Sequence, residues 1–415
     1  MDVFISNVEV GKHMKPDSAT AAKLAGLIIS DRKAKGITRK NIGNDEDGIK
    51  WQYKSPKGEL SEERIAELNA LAVPPAWNDI WYCSNERGHI QATGKDAKGR
   101  VQYRYHPDWI KIKADLKYAG VDEFALALPS LRERVEDDLQ MKGMPLEKVV
   151  ALVIRLMDIF HIRIGSDEYA KENASYGLTT LQEGHVRFIR GKKAEGKLDA
   201  VLDFTGKSGK HWHLLIEDDN LAQMIEDSGK VGGKEEKQDL FRYIADNGRD
   251  FDIKAGHINR YIEEATDIAY TAKNFRTWAA SWKTGARLAL ISEASEEEIR
   301  ELAENTEIGE GDIIIWRNVQ LKKAANLAKL ASKGSLLGQT DKQKQAALLA
   351  VIDTVAGDLG NTRTVCRSSY IRPMFMDDWQ EGIFMQRWQD ASKMPAIPEL
   401  SVEETTAVHY MRTHE

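Results

Sequence analysis

Cysteine is nearly absent: Cys83 and Cys366 are the two in 415 residues, and they stand far apart. They form no CxxC pair, so the chain carries neither a disulfide framework nor a cysteine zinc cluster, which fits a reducing compartment. No apolar run approaches the roughly 18 residues that cross a membrane. The stretch MDVFISNVEVGKHMKPDSA lacks a basic segment followed by an apolar one, so no signal peptide is read there. The expectation is a soluble, cytoplasmic protein with no membrane partner. Internal repeats, heptad arrays and low-complexity tracts are missing too, as are GxSxG, HExxH, GxGxxG and paired-acid motifs.

Net positive charge is also lacking. The formal charge is −6 and the pI about 6.0, which taken alone argues against a nucleic-acid partner. The average hides segregation, however. Residues 31–40, DRKAKGITRK, hold five cations and one anion, and residues 95–117 interleave cations with aromatics. Acid is gathered in residues 293–312, with nine carboxylates and one arginine, read as a solvated face. Because charges are screened beyond about 8–10 Å, a local basic face can act independently of the total.

What is present is a globular composition, 42% hydrophobic and 30% charged, over a length that suggests more than one domain. Residues 1–115 read as a mixed domain: an amphipathic helix at 19–36, turn-rich segments, and a β-hairpin in HIQATGKDAKGRVQYRYH. Alternation in that hairpin sets Tyr103 and Tyr105 on one strand face, with Arg104 and His106 on the other. Core packing and contact with a DNA backbone are both open for the tyrosines. Beyond residue 115 the chain reads as mostly helical. PLEKVVALVIRLMDIF is apolar on nearly every face and therefore buried, and it runs directly into Arg163 and Gly165. LDAVLDFTGKSGKHWHLLIED reads as a second hairpin turning at Gly206-Lys207-Ser208-Gly209. Leu348, Ile352, Val355 and Leu359 recur at helical spacing. Residues 374–415 read as a C-terminal extension, whose closing segment SKMPAIPELSVEETTAVHYMRTHE (392–415) reads as a loosely held tail.

Gly206-Lys207-Ser208 matches the end of a phosphate loop, but Val201 stands where the first glycine belongs and the setting is strand–turn–strand, so no ATP site is assigned. His211 and His213 share a strand face, yet no third metal ligand is indicated nearby, and they are assigned to core or surface. The stretch GNTRTVCRSSYIRP, residues 360–373, crowds Tyr370 with Arg363, Arg367 and Arg372. A tyrosine, with an ordinary pKa near 10, becomes a useful nucleophile only beside positive charge or a base. Phosphoryl transfer needs such a nucleophile, guanidinium groups on the nonbridging oxygens and an acid for the leaving oxygen. Arginine suits the clamp because its planar fork binds phosphate bidentately and keeps its proton.

Five segments in order, GHIQATGKDAKGRVQYRYHPDW, IRIGSDEYAKENASYGLTTL, FTGKSGKHWH, TAKNFRTWAAS and LGNTRTVCRSSYIRP, resemble the poxvirus-like type IB DNA topoisomerases in their bacterial form. They span residues 88–373. The resemblance implies an α+β chain: a small β-rich N-terminal DNA-clamp domain (1–115) and a larger, mainly helical catalytic domain (116–373) of the tyrosine recombinase and type IB topoisomerase fold, followed by the extension. It implies relaxation of duplex DNA through a 3′-phosphotyrosyl intermediate, with no ATP or other nucleotide cofactor and no essential metal, in a monomer associated with the nucleoid. By position, Tyr370 resembles the nucleophile, Arg163 and Arg276 the transition-state arginines, and Lys207 the general acid. Lys273, Lys95, Arg100, Tyr103, Arg104 and Tyr105 resemble DNA-contacting positions. Where poxvirus enzymes carry a histidine, nine residues before the tyrosine, this chain has Asn361, which can donate a hydrogen bond to phosphate but cannot titrate. The segment after the tyrosine reads IRP where IHP is expected. A tyrosine site-specific recombinase, or a non-catalytic DNA-binding protein on the same fold, is the alternative. Recombinases usually show HxxR where Lys273-Asn274-Phe275-Arg276 stands.

Overall fold

A computed structural model describes residues 18–43, 49–191, 197–233, 235–293 and 340–413. The acidic run at 293–312 lies, beyond its first residue, outside the described residues. The chain divides into two units, residues 1–119 and 120–415.

In the first unit, α1 (Ser18–Leu24) is far shorter than the helix expected over 19–36. It ends in a Schellman turn, with Leu27 N–H donating to Ala22 C=O, Gly26 N–H to Lys23 C=O, and Gly26 in the left-handed region. The apolar residues after that turn lie in irregular chain leading to β1 (Thr38–Asn41), which pairs antiparallel with β2 (Trp51–Lys54). α2 (Glu62–Ala70) follows, its first turn capped by Ser61 Oγ on the Arg64 N–H. β3 (Asn78–Tyr82), β4 (Ile90–Lys95) and β5 (Val101–Tyr105) form a meander with β4 central. The β4–β5 hairpin is the one read from the sequence. α3 (Pro107–Tyr118) closes the unit and packs Trp109 and Ile112 on Ala21, Ala22 and Leu27, so a boundary at 115 would cut this helix.

The second unit is built on helices. α4 (Val121–Leu139) packs on α5 (Leu146–Phe160), whose interior from Val149 to Met157 is buried almost without a break, as its apolar run requires. α6 (Asp167–Asn173) leads to a three-stranded antiparallel sheet of β6 (Val186–Arg190), β7 (Leu198–Gly206) and β8 (Lys210–Ile216). α7 (Asp219–Gly229) covers it, and a short pair, β9 (Arg242–Ile244) and β10 (Asp250–Asp252), precedes α8 (Ala255–Thr266) and α9 (Ala272–Glu293). α10 (Asp341–Asp358) buries Leu348, Ile352 and Val355, with Leu359 just beyond its end, completing the face read from their spacing. α11 (Arg363–Ser369) carries the chain to Tyr370.

The extension is helical, and its closing segment, expected to be a loose tail from residue 392, departs from that expectation through its last helix. α12 (Pro373–Glu381), α13 (Phe384–Ser392) and α14 (Val402–Thr413) are part of this core, with Phe375, Phe384 and Tyr410 fully buried in one aromatic cluster. Glu404 on α14 accepts from both terminal nitrogens of Arg132 on α4 (3.0 and 2.9 Å) and from the Trp278 indole on α9 (3.1 Å). The break around Pro395 leaves α14 as a short apolar run that reads as a tail, although it completes the core.

Candidate active site

Tyr370 stands at the C-terminal end of α11 with its N–H donating to Cys366 C=O (3.0 Å). Ser281, fully buried on α9, holds the backbone on both sides of it: its hydroxyl donates to Tyr370 C=O (3.3 Å) and accepts from the Arg372 N–H (3.1 Å). The tyrosine is therefore referenced to the same helix that carries Arg276. The Arg276 guanidinium carbon lies 5.1 Å from the Tyr370 ring centre.

Arg276 is 3% exposed, and its terminal nitrogens donate to the carbonyls of His161 and Leu359 (2.6 Å for the latter). These are the C-cap residues of α5 and α10. The negative ends of two helix dipoles thus hold a buried cation without neutralising it. The ionisable groups that act most strongly on Arg276 are Arg163, Tyr370 and Cys366. Burial, aided by the Arg163 charge, lowers Arg276 to about 10, so it stays cationic at neutral pH. For Tyr370, burial alone would raise the phenol. Arg276 and then Arg163 outweigh it and hold the group below its ordinary value.

Arg163 sits in the loop after α5, and its Nη2 donates to Asn361 Oδ1 (2.5 Å). That loop is fixed by backbone bonds from Leu178 N–H to Arg163 C=O (2.8 Å) and from Thr179 N–H to Ile164 C=O (2.6 Å). A Cβ on Gly177 would come within 2.5 Å of Arg163 C=O, so only glycine allows this approach. Asn361 occupies the second residue past a Schellman turn at the end of α10, where its N–H donates to Ala356 C=O (2.8 Å) and Gly360 adopts a φ of 58°. Its Nδ2, buried, has no partner among the described residues.

Lys207 opens the three-residue loop that joins β7 to β8, in which Ser208 and Gly209 both have positive φ. The lysine is exposed, with Nζ 5.8 Å from the Tyr169 ring centre. Trp212 ties this hairpin to the Asn361 turn: a Cβ on Gly206 would meet its ring at 2.7 Å and one on Gly360 at 2.4 Å. Arg163, Lys207, Lys273, Arg276 and Tyr370 line one cleft of about 530 Å³, together with Tyr169.

Two of the three arginines adjacent in sequence are engaged elsewhere. Arg363 pairs with Asp353 (Nε to Oδ1, 2.8 Å), and Arg372 lies 3.7 Å from Asp122. In the first unit the expected DNA-contacting residues have intramolecular partners. Lys95 pairs with Asp79 (2.7 Å), Arg100 with Asp96 (2.7 Å), and Arg104 donates to the carbonyls of Leu71 and Ala72. Tyr103 and Tyr105 stack at 5.8 Å, and Arg32 donates to the Tyr103 hydroxyl (2.9 Å). Tyr105 is 38% exposed, so this pair is not a sealed core.

Sequence reasoning missed Gly177, Trp212 and Ser281. They were legible only as family-segment letters, because their role is to meet chain far away in sequence. Missed as well was Asp203, which accepts at the His213 Nδ1 (2.7 Å) and lies 3.0 Å from His211 Nε2.

Residues 108–393 match the family model for eukaryotic DNA topoisomerase I, catalytic core, and residues 50–96 match that for bacterial DNA topoisomerase IB, N-terminal domain. The DNA topoisomerase 1B of Acanthamoeba polyphaga mimivirus is 30% identical over 250 residues, covering 59% of this chain and 70% of that protein. The catalytic-core match alone takes in more than half of the sequence and contains every residue of the cleft, so the chain belongs to the type IB DNA topoisomerases, enzymes that relax duplex DNA by transient single-strand cleavage and rejoining.

Proposed function

We propose that Tyr370 attacks the scissile phosphate, that Arg163, Arg276 and Asn361 bind its nonbridging oxygens, and that Lys207 protonates the departing 5′-oxygen. The observation that carries this reading is the pair Arg163 and Arg276 set against a tyrosine whose phenol they pull down. Their charge stabilises the phenolate first and the pentacoordinate phosphate afterwards, in a setting that needs no reorganisation. Asn361 accepts from Arg163 through Oδ1 and keeps Nδ2 as a donor for a phosphate oxygen, so it needs no titration to contribute. An alkoxide is a poor leaving group, and Lys207 at the tip of a hairpin can reach it, then take the proton back during resealing. Lys273, exposed at the rim of the cleft, binds the flanking backbone, as do Lys95, Arg100, Tyr103, Arg104 and Tyr105 once their internal contacts are exchanged for phosphate. The enzyme works as a monomer on nucleoid DNA, with no nucleotide or metal cofactor.

The role of Lys207 is tested by single-turnover cleavage of a strand whose leaving 5′-oxygen is replaced by sulfur, which departs without a proton. Lys207→Ala should slow cleavage of the ordinary strand by about 100-fold or more and recover most of that loss on the sulfur strand. An equal defect on both removes Lys207 from the acid role.

A further inference from the structure

The geometry points to a binding site for a first-row divalent cation, zinc in particular, formed by Asp203, His211 and His213 at the base of the Lys207 hairpin. β8 alternates, so His211 and His213 share one face, and the antiparallel register sets Asp203 directly opposite His213. The carboxylate consequently lies between two imidazoles, with Oδ1 3.0 Å from His211 Nε2 and Oδ2 2.7 Å from His213 Nδ1. Ligand atoms from all three residues lie within 4.8 Å of one another, and among the described residues this is the one such group. Zinc bonds to nitrogen and oxygen run at about 2.0–2.2 Å, so a tetrahedron of them has edges of about 3.3 Å, close to these separations.

His213 supplies the fixed ligand. It is 4% exposed, and its Nε2 is enclosed without a partner among the described residues, which leaves Nδ1 as the bonding nitrogen and holds it on Asp203. Asp203 and His211 are each 49% exposed, giving the ion an entry path and leaving a coordination position for water. Imidazoles with one carboxylate select zinc, copper or nickel over magnesium and calcium.

The consequence follows from location. Gly206↔Lys210 closes the Lys207 loop, and Asp203↔His213 is the third pair below it, about 10 Å along the strands. A metal there cross-links β7 to β8 and restrains the loop that Lys207 must move to reach the leaving oxygen. Metal binding is independent of the catalytic assignment, whereas this inhibitory effect rests on Lys207 being the acid.

The full chain without a polyhistidine tag, titrated with Co²⁺, should develop saturable visible d–d bands at one ion per protein. His211→Ala and Asp203→Asn, shown by circular dichroism to melt as the parent does, should each weaken that binding about tenfold or more. Zn²⁺ should then slow cleavage of the oxygen-linked strand by the parent, reversibly with EDTA, and leave the two variants and the sulfur-linked strand unaffected. No saturable Co²⁺ spectrum, or an identical spectrum in parent and variants, overturns the site. A correct Co²⁺ pattern with Zn²⁺ slowing both strands equally overturns the action through Lys207 and leaves the site standing. The behaviour of Lys207→Ala on the two strands without metal separately reports whether the acid assignment itself has failed.

Discussion

Tyr370 and its two arginines differ from their neighbours in what surrounds them, not in residue type. Arg363 and Arg372 face carboxylates and are spent on the fold, whereas Arg276 is held by helix-end carbonyls that orient its charge without cancelling it. The consequence is titratable. In the parent the phenol of Tyr370 should ionise below its ordinary pKa near 10, so cleavage should rise with pH and level off below that value. In Arg163→Ala one of the outweighing cations is gone while burial remains, so the inflection should move to higher pH. Difference absorbance of phenolate between each protein and its Tyr370→Phe counterpart measures this directly. An inflection that does not move would detach Arg163 from the tyrosine. From the sequence, the family-matched segments singled out both arginines. That carbonyls of His161 and Leu359 hold Arg276 was not visible there, because those partners lie at the ends of other helices.

At the scale of elements, the site is an assembly of helix and hairpin ends. The α5 end brings Arg163, the α10 end brings Asn361, the start of α9 brings Arg276, and Trp212 braces the Lys207 hairpin against the Asn361 turn. Gly360 is where this bracing is tightest, with a left-handed φ and no room for a Cβ beside Trp212. Gly360→Ala should cost about 1–3 kcal/mol in stability and slow cleavage at least about tenfold by shifting Asn361, while DNA binding is retained. A melt with rate and binding measurements checks this, and an unchanged rate would show that the turn does not position Asn361. The hairpins around Lys207 and in residues 90–105 were legible from alternation and turn residues. The helix over 19–36 was misread because its apolar spacing continues past Gly26, where a Schellman turn ends it. Asp203 escaped notice since a cross-strand ligand depends on register, which sequence spacing does not reveal.

Across the whole molecule, the catalytic unit extends to the last described helix, and Glu404 is its anchor. Burial would raise this carboxyl, but the bonds and charge of Arg132 outweigh it and hold it below the usual carboxylate range. A carboxyl so depressed contributes stability that is present above about pH 4 and is lost as pH falls through its folded value. Glu404→Gln leaves Arg132 with Asp158 as its carboxylate partner and should cost about 1–3 kcal/mol at neutral pH. The gap between variant and parent should narrow in acid. Melting curves from pH 3 to 7 decide it; a gap that widens in acid would refute the pairing.

The central claim, that this cleft performs transesterification through Tyr370, is tested most directly by trapping the cleaved complex in EDTA without ATP and mapping the DNA-linked peptide. The account predicts a 3′-phosphate bonded to the peptide holding Tyr370, and neither adduct nor plasmid relaxation from Tyr370→Phe. An adduct on any other residue, or relaxation by Tyr370→Phe at the parent rate, would contradict it.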